Sequence, residues 1–104
     1  VRDASPGQTL ALATVAMTPD ADPEVSRERL GVLVRRIVGE RPDVRLILFG
    51  EVILGWFYRK GETAAYHRRI AEPIPGPSTE FVAGLAKEHE VYLSFGMTER
   101  RGER

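Results

Sequence analysis

The sequence of 104 residues contains no cysteine. Within the chain this excludes a disulfide framework, a thiolate metal site and a cysteine nucleophile. It also fits a reducing compartment, and the expected setting is cytoplasmic. A charge surplus is missing too, since 15 basic side chains balance 15 acidic ones. Binders of nucleic acid or of anionic membranes need a basic excess, so neither partner is expected. No apolar run reaches the roughly 18–20 residues of a membrane helix. The N-terminal stretch from Val1 to Pro6 lacks the basic-then-apolar order of a signal peptide. Histidine is scarce: His67 and His89 are far apart and have no partner at metal-ligand spacing, so no metal site is expected and both read as surface residues. Ser5, Ser26, Ser78 and Ser94 lack the Gly-x-Ser-x-Gly elbow of a serine hydrolase. No internal repeat or low-complexity stretch is present.

What is there points to a globular α/β domain, or part of one. The hydrophobic fraction of 42% is too high for a disordered tail. Of the basic residues 13 are arginine. Pairs such as Arg35-Arg36 and Arg68-Arg69 are interleaved with acidic residues, the pattern of a solvated, salt-bridged face.

Residues 9–17 form a short apolar run, bounded by Pro6-Gly7 and Pro19-Asp20, that reads as a strand buried on both faces. Asp22-Pro23-Glu24 then opens a helix, with Asp22 as N-cap, Pro23 at the first helical position and Glu24 at the positive end of the dipole. Val25, Leu30, Leu33, Val34, Ile37 and Val38 line one side, and Arg27, Glu28, Arg35, Arg36 and Glu40 lie mostly on the other. Pro42 stops this helix. A second apolar strand follows at 44–49. Strand, helix and strand make a βαβ unit, so the two strands should be parallel and adjacent. The segment 50–58 reads as a loop dense in apolar and aromatic residues. A short helix is expected over 62–70, and the prolines of 72–77 make a rigid loop. Ser78 reads as the cap of a further helix with Phe81, Val82, Leu85 and Ala86 buried. A third strand, 91–95, ends at Gly96.

Glu51 is the leading candidate for chemistry. It lies just past the C-terminal end of a strongly apolar strand, where open α/β sheets bind ligands. Desolvation by Phe49, Ile53, Leu54 and Trp56 would raise its pKa toward the range useful to a general base. The bland alternative is a surface glutamate paired with Arg45 or Arg59. Gly50 and Gly55 have the spacing of a P-loop, but Trp56-Phe57 replaces the required Lys-Ser/Thr and rules that motif out. Trp56, Phe57 and Tyr58 line either a pocket or an apolar core or interface.

The segment Leu46-Ile47-Leu48-Phe49-Gly50-Glu51 resembles the Leu-Ile-x-Phe-Pro-Glu motif of the nitrilase superfamily, the carbon–nitrogen hydrolases. Leu10-Ala11-Leu12-Ala13 is similar to that family's first strand. The stretch from Ala71 to Thr79 resembles its Ala-x-x-Ile-x-Gly-Pro-x-Thr segment. Val91 to Arg100 resembles its third strand, which ends in Gly-x-x-Glu-Arg. These segments keep the family's order over nearly the whole chain.

The resemblance implies an α-β-β-α sandwich about twice this length. Residues 1–104 are then expected to be the N-terminal segment of a single carbon–nitrogen hydrolase domain, with at least three strands and covering helices. It implies a Glu-Lys-Cys triad, in which a thiolate attacks an amide, nitrile or N-carbamoyl carbon and forms a covalent acyl intermediate. Glu51 takes the place of the general base. Trp56 stands near a position where tyrosine is common, one residue short in spacing, and is carried as a candidate substrate contact. Tyr58-Arg59-Lys60 resembles the lysine motif only superficially, and the triad lysine and cysteine are both expected beyond Arg104. No cofactor is implied. The expected partners are a small-molecule amide or nitrile substrate and further copies of the complete domain in a homo-oligomer. The reading from another class is a non-catalytic α/β binding or assembly module acting through its aromatic loop.

Overall fold

The computed structural model describes residues 9–56 and 58–102. Phe57, the boundary Pro6-Gly7 and the chain ends lie outside the described residues. Six elements follow one another: β1 (Ala11–Thr14), α1 (Pro23–Glu40), β2 (Val44–Leu48), α2 (Thr63–Ile70), α3 (Pro77–His89) and β3 (Tyr92–Ser94). The strands form one parallel sheet in the order β1-β2-β3. The fold is therefore mixed α/β, with the expected βαβ unit at its start.

The first helix forms where local chemistry directs it. Asp22 is extended, and its carboxylate accepts the Glu24 N–H at 2.9 Å, satisfying one donor that the helix leaves free. At the other end the Arg41 N–H closes on the Ile37 carbonyl at 2.8 Å. Pro42, which has no N–H to give, follows at once.

Packing then fixes the layers. Leu30 and Val34 of α1, Val82 and Leu85 of α3, and Val44, Ile47 and Phe49 on and after β2 form one buried cluster. Leu30, Val34 and Ile47 keep no exposed surface. Burial of each such side chain contributes about 1.5–3 kcal/mol. Both helices thus cover the same face of the sheet. That face is completed by Ala11, Ala13, Val15 and Met17 from β1 and its extension, and by Leu93 of β3.

The opposite face is uncovered among the described residues, which corrects the reading of the first strand as buried on both sides. Leu12, Leu46 and Tyr92 stand in register across the three strands, followed by Thr14, Leu48 and Ser94. Leu12 and Tyr92 are each 52% exposed. An all-apolar run looks alike in sequence whether its second face is covered from within these residues or from elsewhere. Purified residues 1–104 are expected to self-associate through this face, because such a contiguous apolar patch drives association. Sedimentation velocity checks this. Leu12→Lys with Tyr92→Lys should shift the distribution toward monomer, and a monomeric unsubstituted chain would contradict the expectation.

The third helix begins two residues earlier than its sequence suggests. Ser78, read as its N-cap, is instead the second helical residue, after Gly76 as cap and Pro77 at the first position. The cap is supplied from outside. Glu72, in the proline-rich loop, accepts the Ser78 N–H on Oε1 at 2.7 Å. The Ser78 hydroxyl donates to Oε2 of the same carboxylate. Arg27 of α1 completes the cluster, its Nη1 donating to Ser78 Oγ at 3.0 Å and lying 3.7 Å from Glu72 Oε2. Arg27, placed by the sequence on the solvent side of α1, is thus turned inward. The loop itself contains a cis Ile74–Pro75 peptide.

Candidate functional site

Glu51 sits where the sequence places it, on the turn that follows the central strand. The ladder between β2 and β3 continues past both strands. The Phe49 N–H donates to the Ser94 carbonyl at 2.8 Å, and the Gly96 N–H donates to the Gly50 carbonyl at 3.0 Å. The Ile53 N–H then returns to the Gly96 carbonyl at 3.3 Å. Glu51 is therefore carried on backbone that is bonded on both sides to the end of the neighbouring strand. Its position outside the carboxyl ends of parallel strands is the usual place for a ligand site.

Its surroundings differ from expectation. Phe49, Ile53 and Leu54 are buried, but they belong to the core below the turn, and Trp56 is 55% exposed. Glu51 itself is exposed. The apolar enclosure expected around its carboxylate is not formed by the described residues. The proposed ion-pair partners are engaged elsewhere: Arg45 donates to the Pro42 carbonyl at 2.9 Å, and Arg59 pairs with Glu62 at 3.3 Å. Among the described residues Glu51 makes no ion pair.

Trp56 is on the same loop but packs toward α2 rather than toward Glu51. Its ring centroid lies 5.6 Å from that of His67, and Tyr66 meets His67 edge-on at 5.0 Å. The Tyr66 hydroxyl donates to the Ala21 carbonyl at 2.6 Å, tying the loop and α2 to the entry of α1. Burial pushes the Tyr66 phenol above its usual range, Arg69 opposes this, and Asp20 and Asp22 add to it. The hydroxyl thus remains a proton donor to that carbonyl. Gly55 lies under this ring, where a Cβ would come within 2.5 Å of the Tyr66 oxygen. Lys60 is exposed in the turn before α2.

Both histidines are half-buried, a departure from the surface positions expected of them. His67 is covered by the aromatic rings. The His89 Nε2 is buried without a hydrogen bond, 3.8 Å from Glu88 Oε2. Among the described residues no group of three or more acidic or histidine side chains is placed to hold a metal. No helix among them is long and apolar enough to cross a membrane. Two clefts flank α2, one of about 470 Å³ beside Tyr66, Arg69 and Asp20, the other of about 180 Å³ beside His67, Arg68 and Glu99. Neither is lined by Glu51.

Comparison with protein families decides the affiliation. The sequence profile of the carbon-nitrogen hydrolase family matches residues 11–104. The chain belongs to that family. The match starts at β1 and runs through all six elements, so Glu51 and the proline-rich loop lie inside it. A search of curated proteins gave no match. Sequence reasoning missed two features of this family member. One is the Arg27–Ser78–Glu72 cluster, whose only sequence signal is an acidic residue six positions before a buried serine. The other is Gly96, whose signal is a glycine at a strand end.

Proposed function

We propose that residues 1–104 are the N-terminal segment of a single carbon–nitrogen hydrolase domain of the α-β-β-α sandwich type, and that Glu51 is its general base. The observation that carries this reading is an unpaired carboxylate at the carboxyl end of the central parallel strand, inside the matched region. A lysine and a cysteine outside these residues complete the site.

Glu51 accepts the proton of the cysteine thiol, and the thiolate sulfur bonds to the carbonyl carbon of an amide. The lysine ammonium stabilises the oxyanion of the tetrahedral intermediate. As the C–N bond breaks, the protonated Glu51 gives its proton to the leaving nitrogen, which departs as ammonia or an amine. Water then attacks the thioester, Glu51 takes a proton from it, and the acid is released with the thiol restored. The substrate class is a small amide, nitrile or N-carbamoyl compound, and Trp56 is a candidate contact for it. No cofactor is required by this chemistry.

The segment alone is expected to have no turnover, because it contains no thiol to form the acyl intermediate. Assay of purified residues 1–104 against amide and nitrile substrates tests this. Substrate-dependent ammonia release would overturn the triad reading. In the complete protein, Glu51→Gln is the corresponding test of the base.

A further inference from the structure

Two hydrogen bonds hold the turn that carries Glu51, and both belong to one residue. The Gly96 N–H donates to the Gly50 carbonyl at 3.0 Å, and the Gly96 carbonyl accepts from the Ile53 N–H at 3.3 Å. These bonds bracket Glu51 in sequence, one residue before it and two after. The two backbones touch: a Cβ built on Gly96 would collide with the Glu51 carbonyl and lie 2.8 Å from the Glu51 Cα. Real Cβ atoms do not approach backbone so closely, so the requirement for glycine here is one of space. It is not one of conformation, since Gly96 is not among the residues of positive φ.

Gly96 also cannot retreat easily. Beyond it the chain is tied at a second point, where the Glu72 N–H donates to the Thr98 carbonyl at 3.1 Å and the Arg100 N–H to the Glu72 carbonyl at 2.8 Å. Glu72 is itself fixed by Ser78. The segment 96–100 is thus held at both ends, by the Glu51 turn and by the loop before α3. A side chain added at Gly96 displaces the softer partner, which is the exposed turn.

We propose that Gly96 is a positioning residue for Glu51: its missing side chain lets the end of β3 seat directly against the Glu51 backbone and set where the carboxylate projects. The proposal rests on Glu51 being the base. Gly96 touches no reacting atom and acts only through that turn. It therefore predicts an effect on kcat that depends on Glu51.

The experiment uses the complete protein with Gly96→Ala, Glu51→Gln and the double variant. Gly84→Ala serves as control, because a Cβ on Gly84 of α3 meets nothing within 4 Å. Gly96→Ala should lower kcat about 100-fold, the order expected for misplacing a catalytic group by about 1 Å, with KM changed less than about threefold. In the Glu51→Gln background the same change should cost less than about threefold more, because residues acting through one group are not additive. Amide exchange at Ile53 should quicken at least about tenfold in Gly96→Ala and stay unchanged in Gly84→Ala. An equal loss of kcat in both backgrounds would show general damage and overturn the proposal, as would full activity or unchanged Ile53 exchange in Gly96→Ala. Should Gly96→Ala fail to fold, the unsubstituted protein still decides. Protected Gly96 and Ile53 amides support the clamp, and exchange at the rate of a free chain overturns it. Full turnover in Glu51→Gln alone would instead refute the base assignment, an outcome separable from the exchange results.

Discussion

Glutamine in place of Glu51 is expected to lower kcat of the complete protein by about 10²–10⁴-fold, the contribution typical of a positioned general base. The substitution keeps the size and planar shape of the side chain and removes its ability to accept a proton. Glu51 is exposed and makes no ion pair among the described residues. Its replacement should therefore shift stability by no more than about 0.5 kcal/mol, as for other surface changes. KM should change less than about threefold, because the lost interaction is made in proton transfer rather than in substrate binding. Steady-state kinetics with a simple amide, alongside a thermal unfolding curve, separates these effects. Undiminished kcat with unchanged stability would remove Glu51 from the mechanism.

The second large effect concerns the fold. Glu72→Ala is expected to destabilise the protein by about 3–5 kcal/mol, the cost of breaking a largely buried charge pair. The side chains of Arg27 and Glu72 are only 20% and 13% exposed. Removing the carboxylate leaves Arg27 poorly paired and deprives the Ser78 N–H and hydroxyl of their acceptor. It also frees the loop that anchors Thr98 and Arg100. Set against a typical total of about 5–15 kcal/mol, this is a large share. Arg36→Ala is the comparison, since its pair with Glu40 is exposed on both sides and such pairs contribute about 0–1 kcal/mol. Urea titration of both variants measures the difference, and a loss below about 1 kcal/mol for Glu72→Ala would show that the cluster is not a structural anchor.

The elements governed by local chemistry were legible in the sequence. Asp22-Pro23-Glu24 joins a capping carboxylate to a proline whose φ suits the first turn, and it marks the start of α1 to the residue. The apolar runs at β1 and β2, separated by one amphipathic helix, dictate a parallel pair. What could not be read were contacts between residues distant in sequence. Arg27 and Ser78 meet across 51 positions, and each has a sufficient local explanation, one as a solvated arginine and the other as a helix cap. The same holds for Gly96 and Glu51. Position after an apolar strand pointed to Glu51, but nothing near Gly96 in the sequence tells that another backbone presses against it. The expectation of an apolar enclosure around Glu51 failed for a related reason. Ile53 and Leu54 turn together into the core below the turn, so they are buried without covering the exposed carboxylate.

The base assignment is tested most directly by watching the acyl intermediate form. Intact-mass measurement of the complete protein, mixed with an ester or amide that deacylates slowly, reads acylation without the later hydrolytic step. The unsubstituted protein should gain the mass of one acyl group. Glu51→Gln should gain it about 10²–10⁴-fold more slowly, in line with loss of a general base. Acylation of Glu51→Gln at the unsubstituted rate would contradict the account.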